Sequence, residues 1–264
     1  MKKTNLNAGI DSIKISGLEK KSNLIHGFSS RGFIDEKKNS ILFRFGRVDQ
    51  ENASPEHARR FLHSLQIESG EAVLVRQVHG DSVYVLEDPE TTTAQAACVE
   101  ADAIVTPLRG RPVGVLTADC IPVIVYDARQ HVVGVIHAGR KGTAENIVAK
   151  TLQVLKRRFG GRPEDFVVGM GPGIGACCYE VDDSCLPPFR QKHARWETFC
   201  KKVSEGKYRL DLFLANTEDS LAEGVPHENI FRSGNCTACE THRFFSYRKE
   251  GSSAGRLLSL AMLR

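Results

Sequence analysis

Between residues 112 and 136 the chain carries three apolar runs rich in valine and isoleucine, at 112–116, 121–126 and 131–136. Runs with so little alternation predict strands covered on both faces. Asp127, Ala128, Arg129 and Gln130 leave room only for a tight connection, so the last two runs are expected to form a hairpin. A further buried strand is predicted at 165–170, and shorter apolar segments at 24–28, 41–45 and 256–263 read as strands. Helical spacing covers 55–66, with Ser54 as N-cap and Pro55 in the first turn. It recurs at 143–159, which stops at Gly160 and Gly161, and at 212–223, which Asp211 caps. Segments 72–75 and 82–86 flank His79 and are expected to pair as a hairpin. Residues 29–40 read as a polar loop, and 89–100, rich in threonine and alanine, as a mobile one.

No linker divides these elements. The pattern predicts one α+β domain over residues 1–264, with mixed sheets flanked by helices; a division near Gly160 is the alternative. A chain of 264 residues buries a sizeable core without disulfides. Its net charge of +4 is spread along the sequence, which favours small anionic ligands over nucleic acid. No apolar run reaches membrane-spanning length, and Met1 to Asn5 is polar, unlike a signal peptide. These features predict a cytoplasmic protein whose eight cysteines are mostly reduced.

Three residues at the ends of strand-like runs carry the chemistry: His79, Cys120 and His137. Two neutral imidazoles and a thiolate suit zinc or copper and leave one coordination position open, as a catalytic site requires. The same residues admit a second reading, in which Cys120 is a nucleophile activated by His137 or His79 and oriented by Asp119. The Gly171-Pro172-Gly173-Ile174-Gly175-Ala176 run formally matches a dinucleotide-binding pattern. Pro172 lacks a backbone donor and no convincing helix follows, so these glycines are expected to make a tight turn or a close approach. Cys236 and Cys239, with His242, have the spacing of half a zinc site; Cys177 and Cys178, being adjacent, look poorly placed to complete it. Phe245 and Arg248, in the Phe244-Phe245-Ser246-Tyr247-Arg248 run, offer a ring and a cation to a planar substrate. The remaining histidines, His26, His57, His63, His131, His193 and His227, are expected to be surface or structural.

Taken in order, Gln77-Val78-His79-Gly80, Thr117-Ala118-Asp119-Cys120-Ile121-Pro122, Ile136-His137-Ala138-Gly139, the Gly171 run with Cys177-Cys178-Tyr179-Glu180-Val181, Cys236-Thr237, Phe244 to Arg248 and Gly255-Arg256 resemble the YfiH family, also called the polyphenol oxidase or laccase-domain family. The resemblance runs from about Gly27 to the C-terminus. It implies a zinc site on His79, Cys120 and His137, and phosphorolysis of adenosine, inosine, guanosine or methylthioadenosine. It also implies adenosine deamination, with Asp119 as an acid or base. The older family label is a copper-dependent phenol oxidase. Nine histidines with no His-x-His pair argue against a trinuclear copper cluster, although a single copper suits the same ligands. A cysteine–histidine amide hydrolase acting on cell-wall precursors is the remaining alternative. One departure stands out. The family's usual His-Ala-Gly-Trp-Arg-Gly is here His137-Ala138-Gly139-Arg140-Lys141-Gly142. Lys141 keeps the charge, and with it an expected role in holding phosphate, but not the planar two-donor fork of arginine.

Overall fold

Every residue of the strands Ile121–Asp127 and Val132–Ala138 is buried, as their unbroken apolar runs require. In the computed structural model, which describes residues 10–34, 39–45, 54–68 and 71–264, these strands form the expected hairpin. Asp127 closes its turn by accepting from the backbone N–H groups of Arg129 and Gln130, each at 2.9 Å. The hairpin is the centre of a six-stranded mixed sheet. Phe166–Met170 runs antiparallel on one side, with Ile230–Arg232 parallel beyond it. Ala103–Thr106 runs antiparallel on the other side, with Val83–Val85 parallel at the edge. The chain passes Gly160 and returns into this same sheet, so no division falls there.

A second, five-stranded sheet has the order Ile10–Ile13, Leu24–Ile34, Leu257–Leu263, Val113–Thr117, with Ser40–Leu42 paired to Leu24–Ile34. Side chains of a strand alternate between faces. Ile124 and Tyr126 therefore pack with Val113, Val115, Ala261 and Leu263 between the two sheets. Val123 and Val125 point the other way, under the helices Ile147–Phe159 and Leu212–Ala222. The architecture is sheet on sheet on helix, a single α+β domain of mixed sheets. Each fully buried valine, leucine or isoleucine contributes about 1.5–3 kcal/mol relative to exposure. No helix among the described residues is long and apolar enough to cross a membrane.

Two helix caps are those the sequence predicts. Ser54 accepts from the His57 N–H, and Asp211 accepts from the Leu214 N–H at 2.9 Å. Elsewhere the structure corrects the reading. Residues 72–75 and 82–86 are not a hairpin: Val83–Val85 pairs in parallel with Ala103–Thr106, and Val73 makes only a bridge to Val113. Residues 89–100 are not all loop: they contain the helix Thr93–Ala97, whose capping box joins Thr92 and Gln95. The helix expected at 143–159 begins earlier, as Arg140–Ala144, then breaks at Asn146, which adopts φ +62° before Ile147–Phe159 starts. The loop expected at 29–40 is in part strand, since Leu24–Ile34 continues to Ile34; residues 35–38 lie outside the described residues, as do Met1 to Asn5. A three-stranded sheet of Glu180–Asp182, Lys207–Leu210 and Cys200–Ser204 is an addition. Its short polar strands lack the apolar runs that reveal the others.

His26 is 2% exposed and accepts from the Ile15 N–H at 2.9 Å through Nε2. Burial, reinforced by the charge of Lys14, lowers its pKa to about 3. The folded state thus holds it neutral where the unfolded chain protonates it, near pH 6.5. Its contribution is intact above that pH and declines by about 1.4 kcal/mol per unit as pH falls below it. Urea unfolding between pH 6 and 4 should lose stability more steeply for the wild type than for His26→Gln; equal slopes would contradict this assignment.

Candidate metal centre and its cleft

The chain changes sheets between Val113–Thr117 and Ile121–Asp127, and Cys120 sits in that crossover. Asp119 makes the bend with φ +88°, a left-handed backbone that Asp tolerates better than most residues. His137 is next to last in its strand and 3% exposed. His79 comes from the irregular segment after Val75, which three contacts fix in place. The Arg76 N–H donates to the Val99 carbonyl at 2.8 Å. The Gln77 side chain both donates to the Leu116 carbonyl and accepts from its N–H, each at 2.8 Å. His79 then takes φ +59°, which turns consecutive backbone N–H groups inward.

Those N–H groups converge on Asp102, a carboxylate the sequence reading did not single out. Asp102 is fully buried and accepts from Val78 at 3.2 Å, His79 at 3.0 Å and Gly80 at 2.6 Å. Its Oδ1 also lies 2.7 Å from His137 Nδ1. Burial works against the ionised carboxylate, but the His137 hydrogen bond and charge and the N–H groups of Gly80 and Val78 hold its pKa below the usual range. With Nδ1 engaged, His137 has Nε2 free to serve as a ligand.

His79, Cys120 and His137 each offer one donor atom, and the three atoms lie within 4.8 Å of one another. The two imidazole planes cross at 83° with centroids 4.7 Å apart. Burial would raise the Cys120 thiol, but the His137 imidazole and then that of His79 bring its pKa down to about 6. Burial likewise opposes charge on His137, and Cys120 and Asp102 outweigh it, raising it to about 9. The sulfur is thus held as a thiolate beside a protonated His137, and metal binding would release the Nε2 proton of that ring. One soft thiolate with two imidazoles, and no fourth protein donor in the group, fits zinc or copper with a position open. Gly139 makes room for this centre: a Cβ there would lie 2.9 Å from Cys120 Sγ and 3.4 Å from His79 Cδ2.

The three donors line a cleft of about 970 Å³. Arg140, Lys141, Arg248 and Arg256 bring cations to its wall, and Tyr179 and Tyr247 bring rings. Burial raises the Tyr179 hydroxyl to about 12, and the Arg248 guanidinium lies 5.1 Å from its ring centroid. Asp119 also faces the cleft, with both carboxylate oxygens occupied. One accepts from Thr237 Oγ1 and the other from the Arg248 N–H, each at 2.6 Å. It does not orient a histidine; Asp102 does. Phe245 is not on the cleft wall. It is 4% exposed, with the Arg31 guanidinium 4.7 Å from its ring centroid and Gly255 packed against its edge. The rings facing the cleft belong to its neighbours in the motifs.

The glycine run makes the close approaches expected of it. A Cβ at Gly171 would clash with the Phe28 ring at 2.1 Å from Cδ1, and one at Gly173 would meet Ile121 Cδ1 at 2.4 Å. Cys177 and Cys178, which looked poorly placed, do reach Cys236 and Cys239, because the turn after Gly175 folds back beside Cys236; His242 is not in that group. His193 is buried and paired with Asp219 at 3.2 Å, a structural role.

Comparison with known proteins identifies the family of the chain. Residues 25–264 match the family described as multi-copper polyphenol oxidoreductase laccase, and the chain belongs to this laccase-like YfiH family. It is similar to the adenosine deaminase RL5 of an unknown prokaryotic organism, 34% identical over 73% of this chain and 75% of that one. It is also similar to the purine nucleoside phosphorylase YlmD of Geobacillus stearothermophilus, 32% identical over 89% of this chain and 86% of that one. The crystal structure of the Bacillus licheniformis hypothetical protein YfiH superposes with a TM-score of 0.85 at 28% identity, covering 97% of each chain.

Asp102→Asn keeps the shape but removes the charge that fixes His137 and the His79 turn. It should weaken zinc binding about 10–100-fold in competition with a chromogenic chelator. Gly139→Ala should weaken it too, by pushing the thiolate off the common point. Unchanged affinity in both variants would show that neither the carboxylate nor the close approach supports the centre.

Proposed function

We propose that the chain is a zinc-dependent purine nucleoside phosphorylase acting on adenosine, inosine, guanosine and methylthioadenosine, with adenosine deamination as a second activity. One observation carries this reading: the cationic wall of Arg140, Lys141, Arg248 and Arg256 stands in the same cleft as the His79, Cys120 and His137 donors. A deaminase has no need of an anion subsite beside its metal, whereas phosphorolysis requires phosphate and nucleoside together. The names of the relatives support both activities.

In phosphorolysis a phosphate oxygen forms the new bond to the ribose anomeric carbon while the bond to the purine nitrogen breaks. The sugar gains oxocarbenium character and the departing purine accepts a proton. Arginine and lysine side chains would hold phosphate against its own charge and align it with the sugar, which converts a two-body encounter into a positioned one. Tyr179 and Tyr247 suit the flat faces of a purine, and Tyr179 stays protonated at neutral pH, able to donate a hydrogen bond. Asp119, by gripping the Arg248 backbone and Thr237, sets the position of that cation. His79, Cys120 and His137 would hold the zinc, which supplies a Lewis acid at the cleft floor. The same donors would accept copper, and a weak phenol oxidation would follow from that loading.

A second reading has its own observation. Cys120, His137 and Asp102 form a thiolate, imidazole and carboxylate series, the arrangement of a cysteine nucleophile with an oriented base. A cysteine amide hydrolase would keep its activity after complete metal removal; a metal-dependent phosphorylase would lose it.

Pure protein with inosine and phosphate should yield hypoxanthine and ribose 1-phosphate, and adenosine alone should release ammonia more slowly. Cys120→Ala should abolish phosphorolysis. Arg140→Ala and Lys141→Ala should each raise the KM for phosphate about tenfold or more, the size of a lost charge-assisted hydrogen bond, with little change in the KM for inosine. Equal product from Cys120→Ala, or no product from the zinc-loaded wild type, would rule the proposal out.

A further inference from the structure

The second cluster of metal-type donors lies outside the catalytic cleft. Cys177, Cys178, Cys236 and Cys239 bring four sulfurs within 4.8 Å of one another. Cys239 Sγ is 3.5 Å from Cys177 Sγ and 3.4 Å from Cys178 Sγ. Tetrahedral zinc with Zn–S bonds of about 2.3 Å spaces its sulfurs roughly 3.8 Å apart, so little movement separates this cluster from a loaded one. The backbone is also arranged for thiolates. Cys236 and Cys239 form a tight turn in which the Cys239 and Glu240 N–H groups donate to the Cys236 carbonyl. The Gly175 N–H donates to Cys236 Sγ at 3.2 Å, a contact that stabilises negative sulfur. Gly175 itself has little room for a side chain: a Cβ would lie 3.2 Å from Cys177 Sγ.

Four thiols this close do not all ionise against one another, because like charges disfavour the charged form. A divalent cation among them removes that repulsion, and loading releases one proton for each thiol that ionises. A single disulfide would join two of the four, whereas one metal ion engages all of them. All four tetrahedral positions would be protein sulfur, with none for water or substrate, which makes the site structural.

We propose that these four cysteines bind one zinc ion, which clamps the Gly171–Tyr179 turn to the Cys236–Glu240 turn and so fixes one wall of the cleft. The connection is short. Cys178 precedes Tyr179, a cleft residue. Cys236 precedes Thr237, whose hydroxyl holds Asp119, which in turn holds the Arg248 backbone. This site stands independently of the reaction proposed above, since it needs no substrate.

The decisive protein is Cys120→Ala, which removes the only sulfur of the catalytic group and leaves the four-cysteine group whole. Prepared under reducing conditions with zinc, it should retain about one metal ion per chain where the wild type holds about two, one for each donor group. Loaded with cobalt instead, it should still show intense sulfur-to-cobalt charge-transfer absorption, which the catalytic group without Cys120 cannot give. Adding Cys236→Ser and Cys239→Ser to it should abolish that band. X-ray absorption at the zinc edge of the wild type avoids dependence on any variant: the average zinc should have more sulfur than nitrogen neighbours. Zinc should also protect the four thiols from iodoacetamide. No cobalt–thiolate band in Cys120→Ala, a nitrogen-rich zinc average in the wild type, or alkylation at the same rate with and without zinc would each overturn the proposal.

Discussion

The Asp102 carboxylate holds the centre together. It is fully buried, yet it accepts hydrogen bonds from three consecutive backbone N–H groups and from a ring nitrogen of His137. A buried charge left without partners would cost several kcal/mol. Here the partners are the two histidine-bearing elements themselves, so satisfying the charge and assembling the site are the same event. The carboxylate fixes His79 through the backbone of its turn and His137 through its ring. Cys120 then needs only the sheet crossover to arrive beside them.

That crossover explains why a site made from distant residues can be rigid. Ile121–Asp127 and Val132–Ala138 are buried along their whole length between the second sheet and the helices, so their ends have little freedom. Close-packed interiors transmit such constraints without slack. Gly139 lets its chain segment approach the donors more closely than any side chain would permit, and Gly173 does the same against Ile121 and the Asp119 carbonyl. The positive wall of the cleft lies on less constrained ground: Lys141 is exposed and Arg140 half-buried at the start of a short helix. The Arg140-Lys141 pair therefore sits in a less constrained part of the cleft than the three candidate donors.

The legible parts of the fold were those with strong periodic or capping signals. The central hairpin, the last strand and the Ser54 and Asp211 caps follow from local sequence, because continuous apolar runs favour buried strands and Ser or Asp before a helix satisfies its open N–H groups. The expected hairpin around His79 failed because Val83–Val85 found a better partner in Ala103–Thr106, a parallel pairing that no local turn signal announces. Asn146 broke a helix that periodicity alone would have run through. Phe245 and Tyr179 show the same limit at the cleft. Both are aromatic and both lie in motifs, but only packing decides which ring faces a ligand and which is buried beneath Arg31.

The sequence by itself singled out His79, Cys120 and His137 as candidate donors and placed His137 near the end of its strand, since residue type and apolar runs are local properties; it did not show that His79 lies in an irregular segment. It also contained the sign of Asp102, a lone carboxylate between Ala101 and the apolar run Ala103-Ile104-Val105, where an ionised group is tolerated only with partners in place. Tertiary structure alone decided what those partners were. It also decided that two adjacent cysteines meet a pair near residue 236, and that Arg76, Arg140, Lys141, Arg248 and Arg256 share a cleft with Cys120. Convergence of groups far apart along the chain depends on how sheets stack and where the chain crosses between them, and that is settled by the packing of the whole core.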